Sequence, residues 1–390
     1  MSEIRVNSLS NESNTGGPVL SGITTFSGQQ YFIPPKGTTA ERPTDCPPGS
    51  IRFNTDSAHL EYWNGLVWLE FEASSEELGN QLVTNSAGGT GTRGVFSSIG
   101  GYPNISDEQS YISVESTGNA QTFSELHEGT RYGNSIGSST RGIVFSAITA
   151  GGNHDTDIQR YTFASTGSTV DFGGNSTQGR YGAIATSNST RGIRAGGFAP
   201  GTNSDVIDYI TIASNGTDAK DFGDLIVSFR YGNGCFASCT RGIVTGGYPG
   251  SSVSDHIGYI TFSTEGNAQD FGNLAVAKNA GSQGGSNATR GIFAGGHNGS
   301  SVTNELEFIT LASTGNGIDF GDLTTTTQYG ATASSKTRLV IAMGNYPSYV
   351  NTINYVQIMT TGNALDFGDL NITGGDSGTH NGASNGHGGL

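Results

Sequence analysis

One near-constant interval limits what this chain can fold into. Arginines at Arg93, Arg141, Arg191, Arg241, Arg290 and Arg338 each follow a Thr and are separated by 48, 50, 50, 49 and 48 residues. A second marker keeps step with them. It is Asp-Phe-Gly, starting at Asp171, Asp221, Asp270, Asp319 and Asp366, with Thr-Phe-Ser at Thr122 in the first unit. A third marker precedes the next arginine: Arg-Tyr-Gly from Arg131, Arg180 and Arg230, then Gln-Tyr-Gly from Gln328. A fixed period of this size marks a repeat architecture, in which each unit cannot bury its apolar face alone and stacks on its neighbours.

Tyr231 to Leu274 serves as the reference unit. Four strand-sized pieces are visible in it: GNGCFAS, RGIVTGG, the alternating IGYITFST, and AQDFGNL. Alternation of apolar and polar residues is the mark of a half-buried strand, and Gly-Gly, Pro-Gly and Glu-Gly-Asn supply turn chemistry between the pieces. Four strands in roughly 50 residues is the size of a kelch-class propeller blade. The 62 glycines, with abundant Ser, Thr and Asn, would also suit a disordered chain, but 19 Phe and 15 Tyr at even intervals favour an all-β protein.

The unit resembles the kelch repeat in its apolar-x-x-Gly-Gly segment (Ile243 to Gly247), its Tyr-bearing strand after a variable loop, its aromatic on the last strand, and its Arg before the next unit. Kelch repeats usually carry Trp on the last strand, where this chain has Phe271 and its counterparts. The resemblance implies a six-bladed kelch-like β-propeller over residues 83–390; the non-repeating residues before it read as a small N-terminal β module over 1–72 and a linker over 73–82. Small residues suit the crowded strands near an axis. Large ones, such as Tyr209, Ile210, Ile212, Phe222, Tyr259, Ile260, Phe262 and Phe271, belong where neighbouring blades pack. The C-terminal SNGHGGL parallels SNSTRGI at Ser187, so the tail is expected to supply the missing inner strand of the first blade.

Several motifs have an ordinary explanation. Asp-Phe-Gly holds magnesium in protein kinases, but here it recurs at blade spacing without the accompanying kinase motifs. A turn is expected instead: Asp bonds its own backbone, Gly adopts positive φ and Phe points into the core. Asp224, Asp322 and Asp369 add a second carboxylate that could suit calcium, yet no metal ligand is assigned. The periodic arginines are read as structural. Arg191, Arg241 and Arg290 are expected to pair with aspartates of the Asp-Phe-Gly set; lining a central channel is the alternative. Cys235 and Cys239, on one strand, lie too far apart for a disulfide; with Cys46 they are read as small buried residues. The seven His residues do not fall at metal spacing, no nucleophile elbow or phosphate loop is present, and no enzyme activity or cofactor is expected.

What varies is the loop after each Gly-Gly. Varied loops on a rigid scaffold are where binding usually sits. Tyr102, His154, Phe198, Tyr248, His256, His297, Tyr346 and Tyr349 are the candidate ligand-binding residues, with aromatic faces and amides suited to sugars. The net charge of −15 argues against nucleic acid, and no apolar run reaches the length of a membrane span.

Residues 1–72 stand outside the repeat. Asn64-Gly65 is a strong hairpin signal, expected to pair Trp63 with Leu66 and Glu61 with Trp68 and to place both tryptophans on one face. The stretch PPGSIRFNTDSAHLEYWNGLVW, with the upstream GGPVLSGITTFSG, resembles the N-terminal part of tail-fibre-like virion proteins of tailed phages, cyanophages in particular. The repeats with TRGIFAGG and STGNAxDFG resemble C-terminal parts of cyanophage structural proteins. The resemblance implies a virion location after assembly in the host cytoplasm. Gly49 to Asn54 and Glu61 to Trp68 would then lie in an attachment or oligomerising module, with other virion proteins as partners and a homotrimer as the expected assembly. Three functions follow from this: a tail-fibre adhesin for a host-surface polysaccharide, a capsid decoration or head-fibre protein with a structural role, and, less favoured, a glycan-cleaving propeller.

Overall fold

The computed structural model describes residues 34–57, 59–70, 92–98, 105–152, 154–280, 284–342, 344, 350–371 and 382–390. The chain divides into two units, Met1–Gly79 and Asn80–Leu390. The expected linker over 73–82 and the stretch GGPVLSGITTFSG lie outside the described residues.

In the first unit, strands Lys36–Gly37, Ile51–Asn54, His59–Trp63 and Trp68–Glu70 form one sheet in that order. The hairpin register differs from the expected one. Trp63 faces Trp68 and Glu61 faces Glu70. The Asn64 side chain accepts from the N–H groups of Leu66 and Val67 at 2.8 Å, and Asn64 N–H donates to Val67 O. The connection is therefore a four-residue turn organised by Asn64, longer than the two-residue turn that Asn-Gly favours. Both tryptophans still share a face, with ring centroids 5.7 Å apart.

The second unit is all-β. Six four-stranded antiparallel sheets follow one another, the third with a short extra strand, Phe198–Ala199. The first sheet is ordered Gly382–Ser384, Arg93–Ser97, Ser106–Ser113, Gln121–Thr130, so residues from the chain's last segment pair with Arg93–Ser97. The second runs Asn134–Gly137, Arg141–Phe145, Asp157–Thr162, Val170–Asn175. The third has Ile184–Ser187, Arg191–Ala195, Thr202–Thr211, Lys220–Phe229, and the fourth Cys235–Ala237, Arg241–Thr245, Ser254–Thr261, Gln269–Lys278. The fifth has Gly285–Ser286, Arg290–His297, Val302–Thr310, Ile318–Asp322, and the sixth Ala331–Ser334, Arg338–Ala342, Thr352–Gln357, Leu365–Asp369.

Successive sheets are joined by seams, and the repeated motifs turn out to be the joints. Asp-Phe-Gly is no turn. It lies in the fourth strand, at a register shift typical of a β-bulge. The Phe carbonyl accepts from the Gly of the Thr/Glu-Gly-Asn turn in the next sheet: Gly266 N–H to Phe222 O, Gly315 to Phe271, Gly362 to Phe320 and Gly118 to Phe367, all at 2.8 Å. The Asn of that turn adds a second bond: Asn267, Asn316, Asn363 and Asn119 accept from Asp224, Asn273, Asp322 and Asp369 N–H at 3.0–3.1 Å. Glycine is required on the strand side, and the turn glycines Gly118, Gly266 and Gly362 also take φ of +150 to +154. Gly272 has φ +147, and a Cβ built on it would stand 2.4 Å from Gly315 O.

The periodic arginines also belong to the seams, with partners other than the expected aspartates. Arg191, Arg241 and Arg290 donate to the carbonyls of Phe262, Leu311 and Ile358 in the next sheet at 2.7, 2.9 and 3.2 Å. Arg93, Arg141 and Arg338 reach Phe163, Ile212 and Glu115 in the same way. Each guanidinium except that of Arg141 lies over the aromatic of its own third strand, 4.2–4.8 Å from the centroids of Tyr111, Tyr209, Tyr259, Phe308 and Tyr355. Such a contact contributes about 0.5–2 kcal/mol. In the second sheet Arg160 stands where the others have the ring, so burial and the Arg160 charge both lower the Arg141 pKa.

Apolar clusters fill the seams. Phe222 and Leu225 meet Val244, Ile260 and Phe262, and Phe367 and Leu370 meet Phe96, Ile112 and Val114. Each buried Phe contributes about 1.5–3 kcal/mol. The first strands also touch one another in series, and the series closes from Ala331–Ser334 through Gly382–Ser384 to Asn134–Gly137. Between them lies a cavity of about 50 Å³ lined mostly by Ser, Gly, Ala and Thr, with Ile136, Cys235, Phe236 and His387; among the described residues no arginine lines it. The C-terminal tail closes one end of this space: His387 Nε2 donates to Gly137 O at 2.7 Å, and Gly388 N–H donates to Ser286 O. Of the cysteines, only Cys235 is buried, and burial pushes its thiol pKa up to about 12.

Candidate functional site

The third marker builds the most distinctive surface of the second unit. Before each described first strand of sheets two to six, one residue takes the left-handed conformation: Tyr132 (φ +56), Gly182 (+62), Tyr231 (+53), Ala280 (+51) and Tyr329 (+59). These residues are linked in order. Gly182 N–H donates to Tyr132 O, Tyr231 to Gly182, Ala280 to Tyr231 and Tyr329 to Ala280, at 2.7–3.4 Å. The backbone bonds hold the path, and the side chains are then carried in a conformation that a bulky residue adopts at a cost of about 1–3 kcal/mol.

Residues next to this turn are stitched to the variable loops. Tyr181 exchanges two backbone bonds with Phe198, Arg230 with Tyr248 and Asn279 with His297. Close approach explains the paired glycines before these positions: a Cβ on Gly247 would stand 2.2 Å from Tyr231 O. The first loop residue is thereby fixed beside the turn of its own sheet.

A contiguous aromatic collar results. The Tyr231 ring lies 6.0 Å from Tyr132, 5.9 Å from Tyr181 and 5.8 Å from Tyr329. Tyr181 continues to Phe198 at 5.4 Å and to His154 at 5.2 Å. Arg230 stands between rings, its guanidinium carbon 5.0 Å from the Phe198 centroid, 5.3 Å from Tyr248 and 5.8 Å from Tyr231. All of these side chains are half-buried. Burial, then the neighbouring phenols, pushes the Tyr231 pKa upward, and burial pushes Tyr329 up to about 12, so both are neutral phenols at physiological pH.

Of the candidate loop residues, the structure gathers His154, Phe198 and Tyr248 into this collar. His297 holds the equivalent place in the fifth sheet, where its Nδ1 accepts from Gly299 N–H at 3.0 Å. His256 lies elsewhere: it sits on a third strand with Nδ1 3.6 Å from Asp270. Tyr102, Tyr346 and Tyr349 lie outside the described residues. The sequence reading missed Tyr132, Tyr181, Tyr231, Tyr329 and Arg230 as site residues. Their signal was a large aromatic recurring immediately before a strand of small residues.

Other charges are buried in the second unit. Arg180, of the same motif, is buried and ion-paired with Asp208; buried Arg194 donates to Ser146 O and Ser176 Oγ at 3.1 Å. Burial, then the Arg180 charge, pushes the Arg194 pKa down to about 9. Lys278 is buried between Glu305 and Glu307, each at 2.9 Å. Among the described residues no three His, Cys, Asp or Glu side chains converge as a metal-ligand set.

Comparison with family models gives no match, and none of the curated proteins matches the chain.

Proposed function

We propose that this chain is a phage virion structural protein, a tail fibre or tail-associated adhesin, whose second unit is a six-bladed kelch-like β-propeller that recognises a host-surface glycan. The propeller reading rests on the closed series of first strands and on the seam that links the sixth sheet back to the first. The phage reading rests on the likeness of Gly49–Asn54 and Glu61–Trp68 to tail-fibre N-terminal parts. The observation that carries glycan recognition is the collar: aromatic faces, phenols and a guanidinium held at the roots of varied loops on a rigid frame.

The N-terminal sheet supports an attachment or self-assembly role, with a trimer as the favoured state. One face holds Glu61, fully buried and bound to Arg42 at 2.6 Å and Arg52 at 3.4 Å. The other presents Ile51, Leu60 and Leu69, which are 51%, 41% and 38% exposed. Apolar residues on an open sheet face fit burial against a partner.

The test uses the full chain on a glycan array and in adsorption to host cells. Binding is expected, and Tyr248→Ala and Phe198→Ala should each weaken it. No binding to any glycan or cell would sink the adhesin reading and leave a decoration or head-fibre role. Depletion of the receptor during incubation would favour a glycan-cleaving activity instead.

A further inference from the structure

We infer that Arg230 is the anchor of an oxyanion subsite, so that the ligand is an anionic sugar carrying a carboxylate or a sulfate ester. The inference rests on the glycan-binding reading above and specifies its chemistry. Three aromatic rings hold the Arg230 guanidinium, those of Phe198, Tyr231 and Tyr248. Among the described residues, no carboxylate pairs with it and no hydrogen bond engages it. Its Nε is buried without a hydrogen-bond partner, and the residue as a whole is half-buried. Aromatic rings accept no conventional hydrogen bond in the guanidinium plane, and the fork of terminal N–H donors matches two oxygens of a carboxylate or sulfate ester in a bidentate fashion.

The contrast with the same motif one sheet earlier is the reason to assign a ligand. Arg180 is fully buried and ion-paired with Asp208 through one terminal nitrogen, its Nε and other terminal nitrogen making no hydrogen bond. Arg230 has the same sequence position, lies in an aromatic setting, and has no such partner. The seam arginines each reach a carbonyl of the next sheet, whereas the Arg230 guanidinium is set among rings. The net charge of −15 does not prevent an anion from docking, because charges more than about 8 Å away are largely screened at physiological ionic strength. Next to the guanidinium, the phenols of Tyr231 and Tyr248 and the ring of Phe198 offer a wall for the sugar ring.

The experiment measures binding of the full chain to polygalacturonate (carboxylate), dextran sulfate (sulfate ester) and neutral dextran, in wild type, Arg230→Met and Arg230→Lys. Wild type should bind one or both anionic polymers well above dextran, and which one identifies the oxyanion. Arg230→Met should lower that affinity about ten- to a hundredfold, the range for losing a charged hydrogen-bond partner. Arg230→Lys should restore only part, because the charge returns without the fork. Thermal melts of both variants check folding, and Arg230→Lys serves as the reading if the Met variant is unstable. Equal binding by wild type and either folded variant would overturn the subsite. So would failure to bind either anionic polymer by a chain that binds array glycans, which leaves the adhesin reading standing. A chain that binds no glycan at all removes both.

Discussion

The seams and the tyrosine collar come from the same repeat but obey opposite rules. At a seam the residues themselves recur: Phe carbonyl, Gly with φ near +147, Asn side chain, Arg over a ring. At the collar only the backbone path recurs, and the residue on it changes from Tyr132 to Gly182, Tyr231, Ala280 and Tyr329. The seam leaves no room for another side chain, because two backbones approach to within a Cβ's clearance. The collar leaves the tyrosine side chains half-buried, with one side open. The difference teaches where identity is imposed by packing and where a sequence is free to acquire chemistry.

Four measurements would break or sharpen that contrast. Deleting residues 382–390 removes a whole strand of the first sheet and the bond from Arg93 N–H to Asn385 Oδ1. A loss on the order of 5 kcal/mol is expected, a large share of a typical domain's stability. An unchanged melting temperature would show that the first sheet does not depend on this strand. Next, Gly272→Ala should cost about 3 kcal/mol in chemical denaturation, since the new Cβ would meet Gly315 O at 2.4 Å with φ at +147. A neutral result would mean the seam has more slack than its repetition implies.

Asp157 begins the third strand of the second sheet. Burial first, then Asp171, Asp155 and Glu128, raises its pKa to about 6, with His127 opposing. A carboxyl raised in the folded state is unfavourable above pH 6. That penalty is lost as pH falls through 6 toward the ordinary carboxylate value. Asp157→Asn should therefore stabilise the protein at pH 7 by about 1–2 kcal/mol, allowing for its partial exposure, and make little difference at pH 4. Equal effects at both pH values would refute the assignment. The smallest change is expected from Ala280→Gly. Relief of the left-handed strain at φ +51 should raise stability by roughly 0.5–1 kcal/mol, and denaturant midpoints would register it.

What could be read in the sequence follows the same division. The four strands of the Tyr231–Leu274 unit were legible because alternation and turn residues are local signals. The role of Asp-Phe-Gly was not. Its glycine answers to a glycine in the next sheet, 43 residues on. The arginine partners were missed for the same reason: Arg191 takes a carbonyl 71 residues away, and no charge pattern encodes a carbonyl. In the N-terminal hairpin, Asn64-Gly65 gave the turn's place but not its length, because the Asn64 side chain decides the register. The collar hid behind propensity, which gives no warning of a tyrosine at positive φ. Of the loop residues, His154, Phe198 and Tyr248 were legible as aromatics beside glycine pairs, whereas the convergence of Phe198 and Tyr248 on Arg230 depends on the bridges that tie each loop to a turn.

The pairing of Gly382–Ser384 with Arg93–Ser97 also sets a timetable. Arg93 and Asn385 are separated by 292 residues. At a synthesis rate of about 5–20 residues per second, the edge at Arg93–Ser97 waits roughly 15–60 s for its partner strand. Throughout that interval it is an open strand edge, a template for pairing with another chain. Nascent copies on one message should therefore be most prone to tangle while the first sheet is waiting, and a short edge strand of five residues limits that exposure.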